Sequence, residues 1–295
     1  MERFFPSISS FSKFSIVIFF FLVFKIIGLK LSSDLGEIIG KYFGPLFRKK
    51  IIAKKNILIA FPDLNEKTIN EMIDRMWRNI GRIFGEYIHI NKFSVIDEKK
   101  NKIVFVNKNN VEILKKNNKP IVFFSGHFAN FELMAKCLKE LGFNIGAIYR
   151  PLNNIFLNPI MEFIRKKYIC PIQIEKGSTG TKKLIKHIAA NNPLALMIDQ
   201  RLSSSIRVPF FNQPATTTTT PAQLALKYDA LLVPVFLKRL KKTHFEFFIE
   251  EPLVVKNTND YEKDIFNITK IMNKKIEEFI KIDPASWLWS HDRWK

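Results

Sequence analysis

The chain has 295 residues and a mass of 34.5 kDa, enough for one full hydrophobic core with or without an appendage. A net charge of +20 points to acidic partners (phosphate-bearing lipid, an acidic carrier protein or nucleic acid), although a lysine-rich coding bias produces the same excess. Cys137 and Cys170 stand alone and His89, His127, His187, His244 and His291 are scattered, which argues against a disulfide framework or a metal site; no RNA-binding, zinc-finger or helix-turn-helix pattern supports nucleic acid.

In chain order, residues 14–24 are apolar apart from Ser15, and residues 26–29 extend the run past Lys25. This falls short of the about 20 residues an untilted span requires. It predicts either a short transmembrane helix or one embedded in a single leaflet. A signal peptide is the competing reading, but no small-residue cleavage site follows. Lys25, Lys30, Lys41, Arg48, Lys49, Lys50, Lys54 and Lys55 lie after the run, against Arg3 and Lys13 before it. The positive-inside rule therefore keeps the bulk of the chain in the cytoplasm. Residues 34–47 read as an amphipathic helix packing Leu35, Ile38, Ile39, Tyr42 and Phe43 on a core. A longer helical pattern runs from Asn65 toward Tyr87 through Ile69, Met72, Ile73, Met76, Trp77 and Ile80.

From residue 102 strands alternate with helices. Strands are expected at 103–106, 121–124, 145–149, 171–174, 194–198, 231–236 and 245–250, with helices at 109–117, 131–141, 155–167, 178–190, 217–228 and 260–281. Such alternation predicts an α/β fold: a mixed, mostly parallel central sheet covered by helices on both faces. The organisation expected is an anchor helix (1–30), an amphipathic and helical packing region (31–100) and a catalytic α/β domain (101–295).

His127 and Glu132 lie where one strand ends and a helix begins, the edge at which open α/β sheets bind ligands. Inside one regular helix, five steps would leave them about 140° apart. They meet only if His127 lies in the turn and Glu132 in the first helical turn. A carboxylate on one ring nitrogen would fix the tautomer, leaving the other nitrogen to take a proton from an attacking hydroxyl. A structural histidine beside a helix-favouring glutamate satisfies the same spacing.

Other polar groups gather at strand ends. Arg150, before Pro151, suits phosphate or carboxylate recognition or is a plain surface arginine. Asn158 and Arg165 share a face of the following helix. Asp199 either orients basic residues or a substrate hydroxyl, or caps a turn. Residues 208–216 look like an irregular apolar loop. The terminal Trp287, Trp289 and Trp294, interleaved with cations, fit a membrane interface or a tail docked by its indoles. The adjacent His291-Asp292 pair has poor geometry for a dyad.

Taken together, the anchor, Asn56 to Pro62, Met76-Trp77-Arg78-Asn79-Ile80-Gly81-Arg82, Gly126-His127 through Glu132, Tyr149-Arg150-Pro151-Leu152, Asp199-Gln200, Val208-Pro209-Phe210-Phe211 and the terminal Trp287-Leu288-Trp289, His291 and Arg293-Trp294-Lys295 resemble the lipid A biosynthesis lauroyl/myristoyl acyltransferase family, which shares the HX4D/E motif of glycerolipid acyltransferases. The pattern departs at Asn212, where glycine is usual, and at Gly177-Ser178-Thr179-Gly180, where an arginine is missing; Lys176 or Lys182 are the available substitutes. The resemblance implies a glycerolipid-acyltransferase-like fold and acyl transfer from an acyl carrier protein thioester to a hydroxyl of a Kdo-bearing lipid A precursor. The expected place is the cytoplasmic side of the inner membrane, against anionic lipids. His127 would be the base, Glu132 its orienting acid, and Arg150, with Arg165, Asn158 and Asp199, would meet the substrate. No cofactor and no acyl-enzyme is implied. The same chemistry on a lysophospholipid, glycolipid or aminolipid, and a noncatalytic membrane-docking role, are the competing expectations.

Overall fold

The computed structural model describes residues 7–47, 50–100, 102–201 and 205–295; of the flanking cations weighed above, Arg3, Arg48 and Lys49 lie outside them. Three helices come first, α1 (Ile8–Phe47), α2 (Lys50–Ala60) and α3 (Glu66–Tyr87). The α/β part then runs β1 (Ile103–Val106), α4 (Lys108–Lys116), β2 (Ile121–Ser125), α5 (Glu132–Glu140), β3 (Gly146–Tyr149), α6 (Leu157–Ile164, continued by a π-helical turn Arg165–Ile169), β4 (Ile172–Glu175), α7 (Ser178–Ala189) and β5 (Leu194–Met197). After β6 (Ile206–Phe210) and β7 (Gln213–Thr217) come α8 (Thr220–Tyr228), β8 (Leu231–Lys241), β9 (His244–Ile249) and α9 (Tyr261–Ile282).

The main sheet has the order β1-β9-β8-β2-β5-β3-β4. All neighbours are parallel except β8 and β9, so the sheet is mixed and mostly parallel, as expected. β2 lies between β8 and β5, and all five of its residues are buried. Its side chains alternate between the two faces. Ile121 and Phe123 join Leu133, Met134 and Leu138 of α5, while Val122 and Phe124 join Met272, Ile276 and Phe279 of α9. A fully apolar strand is what a sheet covered on both sides requires.

The N-terminal run is longer than its apolar core suggested. It forms one helical path, Ile8–Phe47, broken at Gly28 (φ 79°, ψ 170°), a conformation that glycine adopts without a Cβ penalty. The break is stitched by Ser32, whose hydroxyl donates to Phe24 O at 2.8 Å and approaches Gly28 O at 2.6 Å, and by the His89 ring, 2.8 Å from Phe24 O. This is one helix long and apolar enough to cross a membrane, with Ile8, Phe11, Ile16, Phe19, Leu22 and Ile26 exposed.

Beyond the break the packing face matches the expected one only in part: Leu35 and Ile39 pack against the core. Ile38, Tyr42 and Phe43 are turned outward, whereas Ser32, Ser33, Gly36 and Gly40 are buried against α3. A Cβ on Gly36 or Gly40 would collide with the backbone of Gly81 or Trp77. Backbones in contact leave no room for larger residues at the positions of Gly36 and Gly40. Arg82 locks the pair by donating to Ser33 Oγ and Asp34 Oδ1, each at 2.9 Å, and by pairing with Glu37.

Residues 208–216 are likewise not an irregular loop. They form the greater part of an antiparallel hairpin, β6 with β7, turned at Phe211 and Asn212 with φ of 48° and 58°. Two successive positive φ values define the tight turn that matches strand twist, and asparagine is among the residues that tolerate them. Thr217 still belongs to β7, so α8 begins three residues after the predicted start.

Candidate active site

β2 stops at Ser125, and Gly126 turns the chain. A Cβ at Gly126 would lie 2.8 Å from the Phe128 ring and 3.1 Å from the Asp199 carboxylate, so this close approach excludes larger residues. The following residues are clamped from several sides. Ala129 adopts φ 43°, its N–H donating to Ser286 O and its carbonyl accepting from Asn79 Nδ2. Asn130 Nδ2 donates to Glu86 Oε2 at 2.9 Å. Fully buried Glu86 also accepts from Ser33 Oγ at 2.8 Å and from both terminal guanidinium nitrogens of Arg239 at 2.6 and 3.1 Å. His127 is thus held on a rigid bend.

The carboxylate that meets His127 is Asp199, not Glu132. Asp199 Oδ1 lies 2.7 Å from Nδ1 of the ring, and Oδ2 accepts the His127 backbone N–H at 2.7 Å. Sheet register explains the encounter. Ser125 is paired with Met197, so two residues further along parallel strands brings 127 beside 199. Trp287 Nε1 donates to Asp199 Oδ2 at 2.8 Å, completing three donors on a carboxylate that is 3% exposed. Burial by itself would push this carboxyl up; the His127 ring and its bonds, with the Trp287 donor, outweigh it and hold Asp199 well below the usual carboxylate range. With Nδ1–H assigned to Asp199, Nε2 is the acceptor nitrogen, 3.2 Å from the Gln200 amide.

Glu132 does sit in the first turn of α5, but its partner is Arg165. Arg165 Nη2 donates to Glu132 Oε1 at 2.5 Å, and Nε lies 3.1 and 3.3 Å from the two carboxylate oxygens. The pair is mostly buried, and Arg165 lies over the Tyr149 ring at 5.6 Å. Burial would lower the guanidinium pKa, but the Glu132 charge reverses that and raises it. Arg165 is consequently engaged within the protein. Asn158 is too: its Oδ1 accepts from Leu152 N and its Nδ2 donates to Glu162 Oε1, both at 2.8 Å, which fixes the loop following Arg150. Arg150 itself is exposed at the end of β3.

A cavity of about 340 Å³ opens at these strand ends. His127, Arg150, Lys176 and Gln200 are among its polar lining, together with Glu132 and Arg165, while Phe123, Met134, Leu138, Ala147, Ala195 and Val235 contribute apolar wall. Lys176, one of the two proposed substitutes, lies on it; Lys182 does not. Gln200 and Ser125 were not singled out by the sequence as site residues; each stands at the carboxyl end of a predicted strand, and Gln200 also belongs to the Asp199-Gln200 motif. The tryptophan tail is docked, not interfacial, at Trp287 and Trp289. Both are fully buried, and Trp289 is held by Asn56 Nδ2 on its carbonyl at 2.8 Å. Among the described residues no cluster of metal-ligating side chains occurs.

An α/β sheet carrying an Asp-held histidine at the mouth of a largely apolar cavity suits proton transfer beside a ligand with an apolar chain. The family model for bacterial lipid A biosynthesis acyltransferases matches residues 1–295, and the chain belongs to that family. It is 26% identical over 279 residues to a lipid A biosynthesis acyltransferase of Haemophilus influenzae, covering 87% of this chain and 83% of that protein. It is 25% identical over 276 residues to a lipid A biosynthesis palmitoleoyltransferase of Escherichia coli, covering 88% and 84%. A Shigella flexneri lipid A biosynthesis acyltransferase shows the same identity and coverage as the Escherichia coli protein.

Proposed function

We propose that this lipid A biosynthesis acyltransferase moves a fatty acyl chain from an acyl carrier protein thioester to a hydroxyl on an acyl chain of a Kdo-bearing lipid A precursor, a late, secondary acylation. The observation that carries the reading is the His127 ring, with Nδ1 held by buried Asp199 and Nε2 at the cavity. Nε2 takes the hydroxyl proton as the oxygen attacks the thioester carbonyl carbon. The tetrahedral intermediate expels the thiolate, which receives the proton from the imidazolium. Asp199 orients the ring and stabilises its charged form. A thioester is already activated, so neither a cofactor nor an acyl-enzyme is required. The apolar wall takes the donor chain, and the Glu132–Arg165 pair shapes the cavity beside it.

Arg150 and Lys176 supply positive charge for lipid phosphate or a sugar carboxylate at the mouth. The exposed apolar face of α1 and the adjacent lysines fit an anionic inner membrane with the catalytic part on its cytoplasmic side. The basic surface fits an acidic carrier protein, an association that weakens with salt. Mass spectrometry of lipid A from cells with and without the protein tests the reading. A lost acyl group is expected, and unchanged lipid A with an altered phospholipid or aminolipid would transfer the chemistry to another acceptor.

A further inference from the structure

Ser125 ends β2 on the same strand face as Ile121 and Phe123, and it lines the cavity beside His127. Its side chain is 1% exposed, and its Oγ has no hydrogen-bond partner among the described residues. Its backbone is committed, the carbonyl accepting from Ile198 N–H at 2.9 Å. A buried hydroxyl normally finds a partner, because leaving it unpaired forfeits its hydration without return. Here the hydroxyl lies where the lining passes from polar to apolar. His127 stands on one side along the chain and Phe123 on the other, with Ala195 and Met197 on the neighbouring strand.

We propose that the Ser125 hydroxyl donates a hydrogen bond to the thioester carbonyl oxygen and to the oxyanion that forms from it. The inference rests on the acyl-transfer reading above. A chain seated on the apolar wall, with its carbonyl carbon within reach of the oxygen activated by His127, brings the carbonyl oxygen to this position. As the acceptor oxygen bonds to carbon, the carbonyl electron pair moves onto oxygen, where Ser125 holds it. The pair returns when the carbon–sulfur bond breaks, and Ser125 keeps its proton throughout. Ser125 is not the nucleophile of a serine–histidine–aspartate triad: Nε2 of His127 approaches Gln200, and no bond joins the ring to Ser125 Oγ. A donor placed where negative charge develops is an effective means of lowering an acyl-transfer barrier.

The test uses the full-length protein in lipid vesicles with an acyl carrier protein thioester, measuring both transfer to lipid A precursor and slow hydrolysis of the thioester by water. Ser125→Ala is expected to lower kcat about 10²- to 10³-fold in both reactions with little change in KM for the thioester. Ser125→Thr, which retains a hydroxyl, restores most of the rate, and the melting temperatures of both variants stay near that of the parent. Rates for Ser125→Ala within about threefold of the parent, or an acyl group on Ser125 in intact-protein mass spectra, would overturn the proposal. If the parent hydrolyses thioester without acylating the lipid A precursor, the acceptor assignment falls while the Ser125 comparison is still read from hydrolysis. If it consumes no thioester, both fall.

Discussion

Asp199 grips His127 at two points, one oxygen on the backbone N–H and the other on ring Nδ1, each at 2.7 Å. A single side chain 72 residues away thereby holds both the backbone and the ring of His127. Asp199→Asn should keep the fold but offer a donor where an acceptor is needed, favouring the wrong tautomer. A fall in kcat of about 10²- to 10⁴-fold is expected, by analogy with serine protease triads. Steady-state kinetics beside circular dichroism would check it, and near-parent turnover would remove Asp199 from the mechanism.

The same carboxyl makes stability depend on pH. Its folded pKa is depressed, so its contribution is complete above the unfolded value of about 3.9 and disappears as pH falls through the folded value. Asp199→Asn should therefore be less stable than the parent at pH 7, with the gap narrowing below pH about 4. Melting curves across that range report it, and a gap independent of pH would contradict the assignment.

Glu132 and Arg165 form the other buried pair at the cavity. Removing one partner leaves the other charge stranded, at a cost of up to about 3–5 kcal/mol for a fully buried pair and less for this slightly exposed one. Glu132→Ala and Arg165→Ala should each destabilise more than half as much as the double variant Glu132→Ala/Arg165→Ala. A double-mutant cycle by urea unfolding measures this; additive losses would mean the pair is not coupled.

Ala147 and Ala195 are small residues on a wall that includes the larger Phe123, Met134, Leu138 and Val235. Enlarging either to leucine should shift donor preference to shorter chains while sparing the shortest thioesters. Competition among thioesters of graded length, read by product mass, would show it; a uniform loss across lengths would argue against this wall holding the chain.

Asn212 occupies the left-handed region with φ 58°. Asn212→Gly should be close to neutral, and Asn212→Val should destabilise by about 1–2 kcal/mol, since a β-branched side chain crowds the backbone there. Chemical denaturation distinguishes the two.

Local pattern carried much of the outcome. A run such as Ile121-Val122-Phe123-Phe124 before Ser125-Gly126 needs no tertiary information to read as a buried strand and a turn, and it set His127 at a strand end. What local pattern misjudged were choices between faces and partners. The helix at 34–47 has one greasy face and one of small residues, and periodicity favours burying the first. Close backbone approach between Gly36, Gly40 and Gly81 buries the second, and of the first only Leu35 and Ile39 stay packed on the core. The hairpin at 206–217 was hidden because Pro209 and Pro214 read as loop residues, although Phe211 and Asn212 supply the turn and the short strands pair outside the main sheet.

The sequence by itself determined that a histidine stands at the rim of an apolar α/β sheet in a basic chain with a greasy N-terminal helix, because strand, turn and helix formation depend on residues adjacent in the chain. Only the tertiary structure decided that Asp199 and not Glu132 holds the imidazole, that Glu132 turns to Arg165, and that Trp287 reaches inward to the same carboxylate. Those pairings depend on strand register and helix phase, which bring together residues far apart along the backbone and part those that lie five apart.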